Sequence, residues 1–110
     1  MKVIIGKKFS RDVKRLAKKY ASIASDVAGL LAELSQNPQI GTPLGHDCYK
    51  IRMAISSKKQ GKSGGARVIT CAKIVDERVI LLTIYDKSEK EDLSDKELLA
   101  LLQSIDDDQN

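Results

Sequence analysis

The chain has 110 residues, of which 42% are hydrophobic and 31% are charged, and its net charge is +4. This balance is typical of one globular domain with a modest core and excludes a disordered chain. Aromatic residues make up only 4%, so the core must be aliphatic, and a stacking platform for single-stranded nucleic acid is disfavoured. No apolar run has the length of a membrane span, and the apolar stretch within residues 1–8 is too short for a secretory signal, so we expect neither. We therefore expect one cytoplasmic domain over residues 1–105, followed by an acidic tail, 106–110, that frays.

The chain has two cysteines and one histidine, too few for a disulfide framework or a structural zinc site. We therefore expect no metal and no cofactor. Cys48 and Cys71 are expected to be small, half-buried residues on strands in a reducing compartment. His46 and Cys48 can share one side of an extended segment, but nothing near them would orient the histidine for Cys–His catalysis. His46 is expected in a loop.

Charge is divided unevenly along the chain. Residues 1–73 contain 15 Lys or Arg and 4 Asp or Glu, whereas residues 74–110 contain 4 and 11. This division favours a basic face for a polyanion and an acidic end turned away from it. A solvated surface with uneven charge is the alternative.

Hydrophobic spacing predicts one strand and two helices in the first part of the chain. Lys2–Ile5 is a short apolar run typical of a strand. Between residues 9 and 20 apolar side chains recur at helical spacing, with Ser10 as a candidate N-cap and basic residues on the other faces. A second helix is predicted over 25–36. It ends at Asn37-Pro38, because proline cannot continue the helical hydrogen bonding.

The remaining chain predicts a Gly- and Pro-rich loop at 39–47, three strands, a basic connection at 56–65 and a last helix. The strands are predicted over residues 48–55, 66–74 and 79–85. The last of these is apolar on both faces and is expected to be central. Ser94 and Glu97 have capping-box spacing ahead of a leucine stripe. The order β-α-α-β-β-β-α predicts an α+β fold, an antiparallel sheet with helices packed on one face.

Phosphate-binding glycine loops, serine nucleophile motifs and zinc-binding helices are missing, and the remaining chemistry is cationic. Lys50 and Arg52 stand two residues apart, so on a strand both project from one face. Arg67 lies on the next strand, and Lys87 follows the last strand. If the three strands are antiparallel neighbours, these cations converge on one sheet face, where a bound polyanion would relieve their repulsion. Ordinary polar residues on a half-solvated sheet are an equal alternative.

Several segments together resemble the RelE/ParE superfamily of bacterial toxins, with the closest similarity to its HigB-like branch. The segments are Lys50-Ile51-Arg52, the GKSGGARVI run at 61–69 and the LLTIYDKSEK run at 81–90. The basic first helix, the Asn37-Pro38 helix end and the loop at 41–45 follow the same pattern, so the resemblance covers about residues 4–102. It implies a microbial-ribonuclease-like, RelE-like α+β fold. It also implies the toxin of a type II toxin–antitoxin system, which cuts mRNA in the ribosomal A site.

The resemblance places the catalytic positions at Lys50, Arg52, Arg67 and Lys87. For cleavage by the RNA's own 2′-hydroxyl, we predict that the Arg67 guanidinium donates two hydrogen bonds to the phosphate oxygens. Arg52 or Lys87 is predicted to share the stabilisation of the phosphate's negative charge or to protonate the leaving oxygen. Lys50, whose charged form the other cations disfavour, is the candidate base. Many relatives carry Tyr or His where this chain has Leu93. Either Tyr85 takes that part, or Lys and Arg do, or this member is a poor nuclease.

Other basic residues are predicted to hold ribosomal RNA by its phosphates, with strong salt dependence. They are Lys14, Arg15, Lys18 and Lys19 on the first helix and Lys58, Lys59 and Lys62 in the loop. Tyr85 is predicted to bind substrate with them, and a plain solvated face is the alternative for the helix residues. The glycines of the 61–65 segment are expected to keep the loop mobile or tightly turned.

The implied partners are the ribosome, mRNA and a cognate antitoxin, often of helix-turn-helix type in this branch, with no membrane. A homodimer is an open alternative. Two other functions compete with the nuclease. A ParE-like gyrase inhibitor is disfavoured because that branch tends to lack the nuclease cations. An inactive nucleic-acid-binding relative is favoured by Leu93.

Overall fold

A computed structural model describes residues 1–109, with side chains described through Ile105. The elements, in chain order, are β1 (Lys2–Ile5), α1 (Lys7–Ala17), α2 (Ile23–Gln36), β2 (Thr42–Gly45), β3 (Cys48–Met53), a 3-10 turn (Ser56–Lys58), β4 (Ala66–Lys73), β5 (Arg78–Asp86) and α3 (Asp95–Gln109). The predicted α+β class and order are confirmed, with one strand added. Across residues 1–109, no helix has the length and apolarity needed to cross a membrane.

The five strands form one sheet in the order β1-β5-β4-β3-β2. The predicted antiparallel meander of β3, β4 and β5 is present, and β5 lies inside the sheet as expected. Two details differ from the prediction. β1 pairs in parallel with β5, so the sheet is mixed. β2 forms within the predicted loop and pairs with the start of β3, although its Pro and Gly content is unusual for a strand.

The helices cover both faces of the sheet, which corrects the prediction of helices on one face. Residues of α1 and α2, such as Phe9 and Leu34, are buried in one apolar cluster with Val68 and Leu81. The α3 residues Leu98, Leu101 and Ile105 belong to a second cluster, with the opposite-facing side chains of the central strands and both cysteines. Because β5 is apolar on both faces, each face needs a cover.

A β-bulge decides which side chains of β5 reach each face. The register shifts between Ile69, which pairs with Thr83, and Thr70, which pairs with Leu81. Leu82 is therefore the extra residue, and the alternation of β5 reverses there. As a result Tyr85, which pairs with Arg67, belongs to the cluster on the α3 face of the sheet.

The predicted capping box at the start of α3 is present. The Glu97 backbone N–H donates to Ser94 Oγ at 3.1 Å, and the Ser94 N–H donates to Glu97 Oε1 at 3.1 Å. The helix then continues to Gln109, so most of the acidic tail that was expected to fray is helical in the structure. Asn110 lies outside the described residues.

Candidate functional site

The four cations that the sequence predicts to converge line one open groove on the α3 face of the sheet. We call it the cation groove; it has a volume of about 500 Å³ and is lined by Thr42, Lys50, Arg52, Arg67, Lys87, Glu91 and Asp92. Its floor comes from β3 and β4, and its acidic wall comes from the segment between β5 and α3. The predicted convergence on one sheet face is therefore observed.

Arg52 and Arg67 are directly opposed across β3 and β4. The Ala72 N–H donates to the Asp47 carbonyl at 2.8 Å, which makes Cys48 and Cys71 a non-hydrogen-bonded pair. Pairs of the two types alternate along the ladder, so Arg52 and Arg67, four residue pairs further along, are again a non-hydrogen-bonded pair. In this type Cα atoms come to about 4.5 Å and side chains are closest. Like charges in this position are destabilising. The fold therefore keeps two positive charges together at a cost.

Arg67 forms the buried floor of the cation groove and is 5% exposed. Its guanidinium donates to the backbone carbonyls of Lys62 at 2.9 Å, Ser63 at 3.2 Å and Ala66 at 3.0 Å. Burial, and then the charge of Arg52, lower the pKa of Arg67. Since three of its five donors hold the turn before β4 and the first residue of that strand, Arg67 has few left for a phosphate. The exposed guanidinium in the groove belongs to Arg52.

An ion pair crosses the cation groove from Lys50 to Asp92. Lys50 Nζ donates to Asp92 Oδ1 at 3.2 Å, and the same oxygen accepts the Leu93 backbone N–H at 2.8 Å. The Leu93 N–H, and then Lys50, lower the pKa of Asp92. The carboxylate offsets the repulsion that was expected to turn Lys50 into a base. Sequence reasoning missed Asp92 because it lies in an acidic run that resembles an ordinary helix flank.

Lys87 is positioned by a contact between two chain segments. Its backbone N–H donates to the Gly65 carbonyl at 3.1 Å, which joins the end of β5 to the turn that Arg67 holds. A Cβ at Gly65 would lie 2.2 Å from the Met53 carbonyl oxygen, so only glycine fits there. The expectation of a tight turn in this glycine-containing loop is met at Gly65.

Asp86, the last residue of β5, is fully buried and anchors this end of the sheet. Its carboxylate accepts hydrogen bonds from the Tyr20 hydroxyl, from Lys58 Nζ at 3.1 Å and from Ser88 Oγ at 2.8 Å. Burial acts to raise the pKa of Asp86, but these hydrogen bonds outweigh it and hold that pKa well below its usual range. The network fixes the residue before Lys87.

Lys58 does not fit its predicted role as a surface ligand for RNA phosphate. Its side chain is only 11% exposed, and its ammonium pairs with Asp86 and lies 5.4 Å from the centre of the Tyr20 ring. A buried carboxylate needs a partner, and Lys58 supplies it. Lys59 and Lys62 of the same connection are exposed.

The cations of the first helical region divide into two kinds. Arg15 and Lys19 both pair with Glu89, at 3.1 and 3.2 Å. Lys14 and Lys18 are exposed and, within the part of the chain with described side chains, form no ion pair. Lys14 and Lys18 are therefore the ones most available to an external phosphate.

Tyr85 lies outside the cation groove, although its cross-strand partner Arg67 lines that groove. The side chain is 5% exposed and packs in the α3 cluster, with Leu93 against that cluster. It contributes to a different groove, between α1 and α3. Burial, and then Asp92, raise the pKa of Tyr85. The hydroxyl has no hydrogen-bond partner among the described residues, and its burial gives no support to the predicted contact with substrate.

The Cys–His arrangement is not formed. His46 is exposed in the turn between β2 and β3, and the Cys48 thiol donates to its backbone carbonyl at 3.3 Å rather than to its ring. Cys48 and Cys71 are free and fully buried, more deeply than predicted. Among the described residues, no cluster of His, Cys, Asp or Glu could hold a metal ion.

A model of the family described as the RelE toxin of the RelE/RelB toxin–antitoxin system matches residues 1–107. The chain belongs to the RelE toxin family. This membership confirms the predicted toxin of a toxin–antitoxin system and the RelE/ParE superfamily, whereas the HigB-like branch stays a prediction. The cation groove is thus a feature of a RelE-family protein.

Solved structures of E. coli RelE share the fold. The isolated toxin has a TM-score of 0.59 at 15% identity, covering 93% of this chain and 96% of that one. RelE in the intact RelBE complex has a TM-score of 0.58 at 16% identity, covering 77% and 94%. A double arginine-to-alanine mutant in the free state has a TM-score of 0.56 at 18% identity, covering 82% and 86%. At identities of 15–18%, this similarity shows a shared fold only.

Proposed function

We propose that this RelE-family toxin is an endoribonuclease that cleaves mRNA in the ribosomal A site and thereby inhibits translation. RelE toxins act as ribosome-dependent mRNA endoribonucleases. The observation that carries the proposal for this chain is the Arg52–Arg67 pair in an open groove with Lys50 and Lys87. A fold that holds four cations together gains from an anion placed between them, and a phosphodiester supplies that anion.

We assign the two arginines roles that differ from those predicted from the sequence. Arg52, with its exposed guanidinium, grips the non-bridging oxygens of the scissile phosphate. Arg67 fixes the turn beneath it and adds positive charge from the floor. Lys87, which directly follows β5, stabilises the charge that develops in the transition state and protonates the leaving oxygen.

Docking on the ribosome is assigned to surface lysines outside the cation groove. Lys14 and Lys18 on and after α1, with Lys59 and Lys62 of the loop, are exposed and can contact ribosomal RNA phosphates. Each contact releases counterions, so binding weakens as salt rises. Arg15 and Lys19 join them when an RNA phosphate replaces Glu89.

A toxin needs a partner that neutralises it, so we propose that this chain pairs with a cognate antitoxin, as E. coli RelE does in the RelBE complex. The antitoxin acts by covering the cation groove or by blocking access to the ribosome. Its helix-turn-helix class and a toxin homodimer stay predictions.

The proposal is tested with purified ribosomes stalled on a defined message, with new 5′ ends mapped by primer extension. Wild type is compared with Arg52→Gln and with Lys96→Gln, which removes an exposed lysine of α3 outside the groove. We expect ends at the A-site codon for wild type and Lys96→Gln, and cleavage slower by about 10²-fold for Arg52→Gln. An intact message with wild type would contradict the proposal. DNA breaks would then indicate gyrase inhibition, and ribosome binding alone an inactive relative.

A further inference from the structure

The cation groove contains groups that stabilise negative charge but needs a group that accepts a proton. Cleavage by the 2′-hydroxyl requires a base for that hydroxyl. Charged Lys and Arg side chains carry donors only. The groove also holds two carboxylates, Glu91 and Asp92, and a carboxylate is an acceptor with several lone pairs.

We propose that Asp92 is the general base that takes the proton of the RNA 2′-hydroxyl. This inference rests on the proposed function and deepens it. The Asp92 side chain is 67% exposed, so a substrate reaches it. Oδ1 accepts hydrogen bonds from Lys50 and from the Leu93 N–H, whereas Oδ2 has no hydrogen-bond partner among the described residues and can accept the hydroxyl proton. Lys50 becomes the residue that positions this base.

Asp92 is preferred over Glu91 because its position is defined. Two hydrogen bonds fix the Asp92 carboxylate, whereas no described contact holds the carboxylate of Glu91. A base must lie within hydrogen-bond reach of its proton in a reproducible pose. Glu91 therefore supplies a matched control of equal charge in the same groove.

The step conserves atoms and charge. A carboxylate oxygen of Asp92 takes the proton of the 2′-hydroxyl, and the electron pair of the 2′-oxygen forms the new bond to phosphorus. The bond from phosphorus to the 5′-oxygen breaks, and the departing oxygen takes a proton from the Lys87 ammonium. The products are a 2′,3′-cyclic phosphate and a 5′-hydroxyl. Asp92 and Lys87 return to their starting forms by proton exchange with water.

Substrate binding makes the Asp92 carboxylate a better proton acceptor. In the free protein, the Leu93 N–H and Lys50 lower the pKa of Asp92, so the carboxylate is ionised at neutral pH. A bound phosphate shares the Lys50 ammonium with Asp92, which keeps its position, and adds negative charge beside that carboxylate. Both changes favour proton uptake by the carboxylate when the hydroxyl is in place.

The test is the single-turnover cleavage rate on programmed ribosomes at saturating toxin, measured from mildly acidic to alkaline pH. The proteins are wild type, Asp92→Asn and Glu91→Gln. Asparagine keeps an oxygen that can accept the Leu93 N–H but is not a base. We expect wild type to be flat from neutral to alkaline pH, because its base is already ionised. Asp92→Asn should be slower by about 10²-fold or more, with a residual rate that rises with pH as hydroxide replaces the carboxylate.

The controls separate this role from a structural one. Glu91→Gln should stay within a few-fold of wild type and keep the flat profile, and Asp92→Asn should co-sediment with ribosomes as wild type does. A near-normal Asp92→Asn rate, or a slow rate with the wild-type profile, would overturn the role of Asp92. A wild-type cleavage rate that rises through alkaline pH would indicate that Lys50, and not Asp92, is the general base. No cleavage by wild type would instead overturn the proposed function itself.

Discussion

Arg52 and Arg67 face each other directly on β3 and β4, at a cross-strand position where side chains come closest. Arg67 is buried and holds a turn, whereas Arg52 is exposed. The pair thus combines a structural cation with a functional one. Its repulsion is a local instability that a bound anion relieves.

Replacing Arg52 with Gln should raise stability while it lowers activity. Loss of the like-charge contact should increase the free energy of unfolding by roughly 0.2–1 kcal/mol in urea titrations at low salt. Inorganic phosphate should reduce the difference in the free energy of unfolding between wild type and Arg52→Gln, because only wild type has the arginine pair that the anion stabilises. A less stable variant would mean that Arg52 supports the fold instead.

Replacing Asp86 with Asn should be strongly destabilising. The change removes the countercharge of Lys58, whose ammonium is almost buried, and the free energy of unfolding should fall by about 3–5 kcal/mol. Urea titration of Glu89→Gln provides the control. Glu89 forms exposed pairs, for which a loss below about 1 kcal/mol is expected. Equal losses for the two variants would contradict the account of the Asp86 network.

The lowered pKa of Asp86 also predicts how the free energy of unfolding depends on pH. The pKa of Asp86 is lower in the folded chain than in the unfolded chain. Its contribution to the free energy of unfolding is therefore fully present at pH values above the ordinary pKa of a carboxyl group. It is lost as pH falls from about 4 toward the lower folded pKa. Urea titrations at neutral and acidic pH should therefore show a smaller loss on acidification for Asp86→Asn than for wild type. Parallel losses would show that other carboxyl groups dominate.

Two glycine substitutions should have opposite effects. Gly65→Ala places a Cβ against the Met53 carbonyl oxygen and should lower the free energy of unfolding by about 1–3 kcal/mol. It should also slow cleavage, since Gly65 holds Lys87. Gly29→Ala, at an exposed position of α2 with open space, should raise stability by about 0.5–1 kcal/mol. Thermal or urea unfolding checks both, and a neutral Gly65→Ala would contradict the close approach.

The local patterns of the sequence predicted much of the fold. Alternating apolar residues placed β3, and the capping box of Ser94 and Glu97 placed the start of α3. The face that α3 covers was not predictable, because β5 is apolar on both sides and its alternation reverses at Leu82. β2 was missed because its Pro and Gly residues are typical of a loop.

The candidate site was predictable in composition but not in detail. The spacing of Lys50 and Arg52 implied a shared face, and strand pairing brought Arg67 beside them. Burial could not be inferred from residue type, so Lys58 was expected to resemble its exposed neighbour Lys59. A charged residue at the end of a buried strand, here Asp86, was the available signal that a nearby lysine would be needed as its partner.

The central claim is that the cation groove performs the cleavage and that the exposed lysines near α1 serve docking. The direct test is single-turnover cleavage on programmed ribosomes by two double variants, Arg52→Gln with Lys87→Gln and Lys14→Gln with Lys18→Gln. The account predicts that the groove variant stays slow at saturating toxin, whereas the other variant recovers near wild-type cleavage at high concentration or low salt. Recovery of the groove variant at saturation would contradict the account, because the groove would then be a docking surface only.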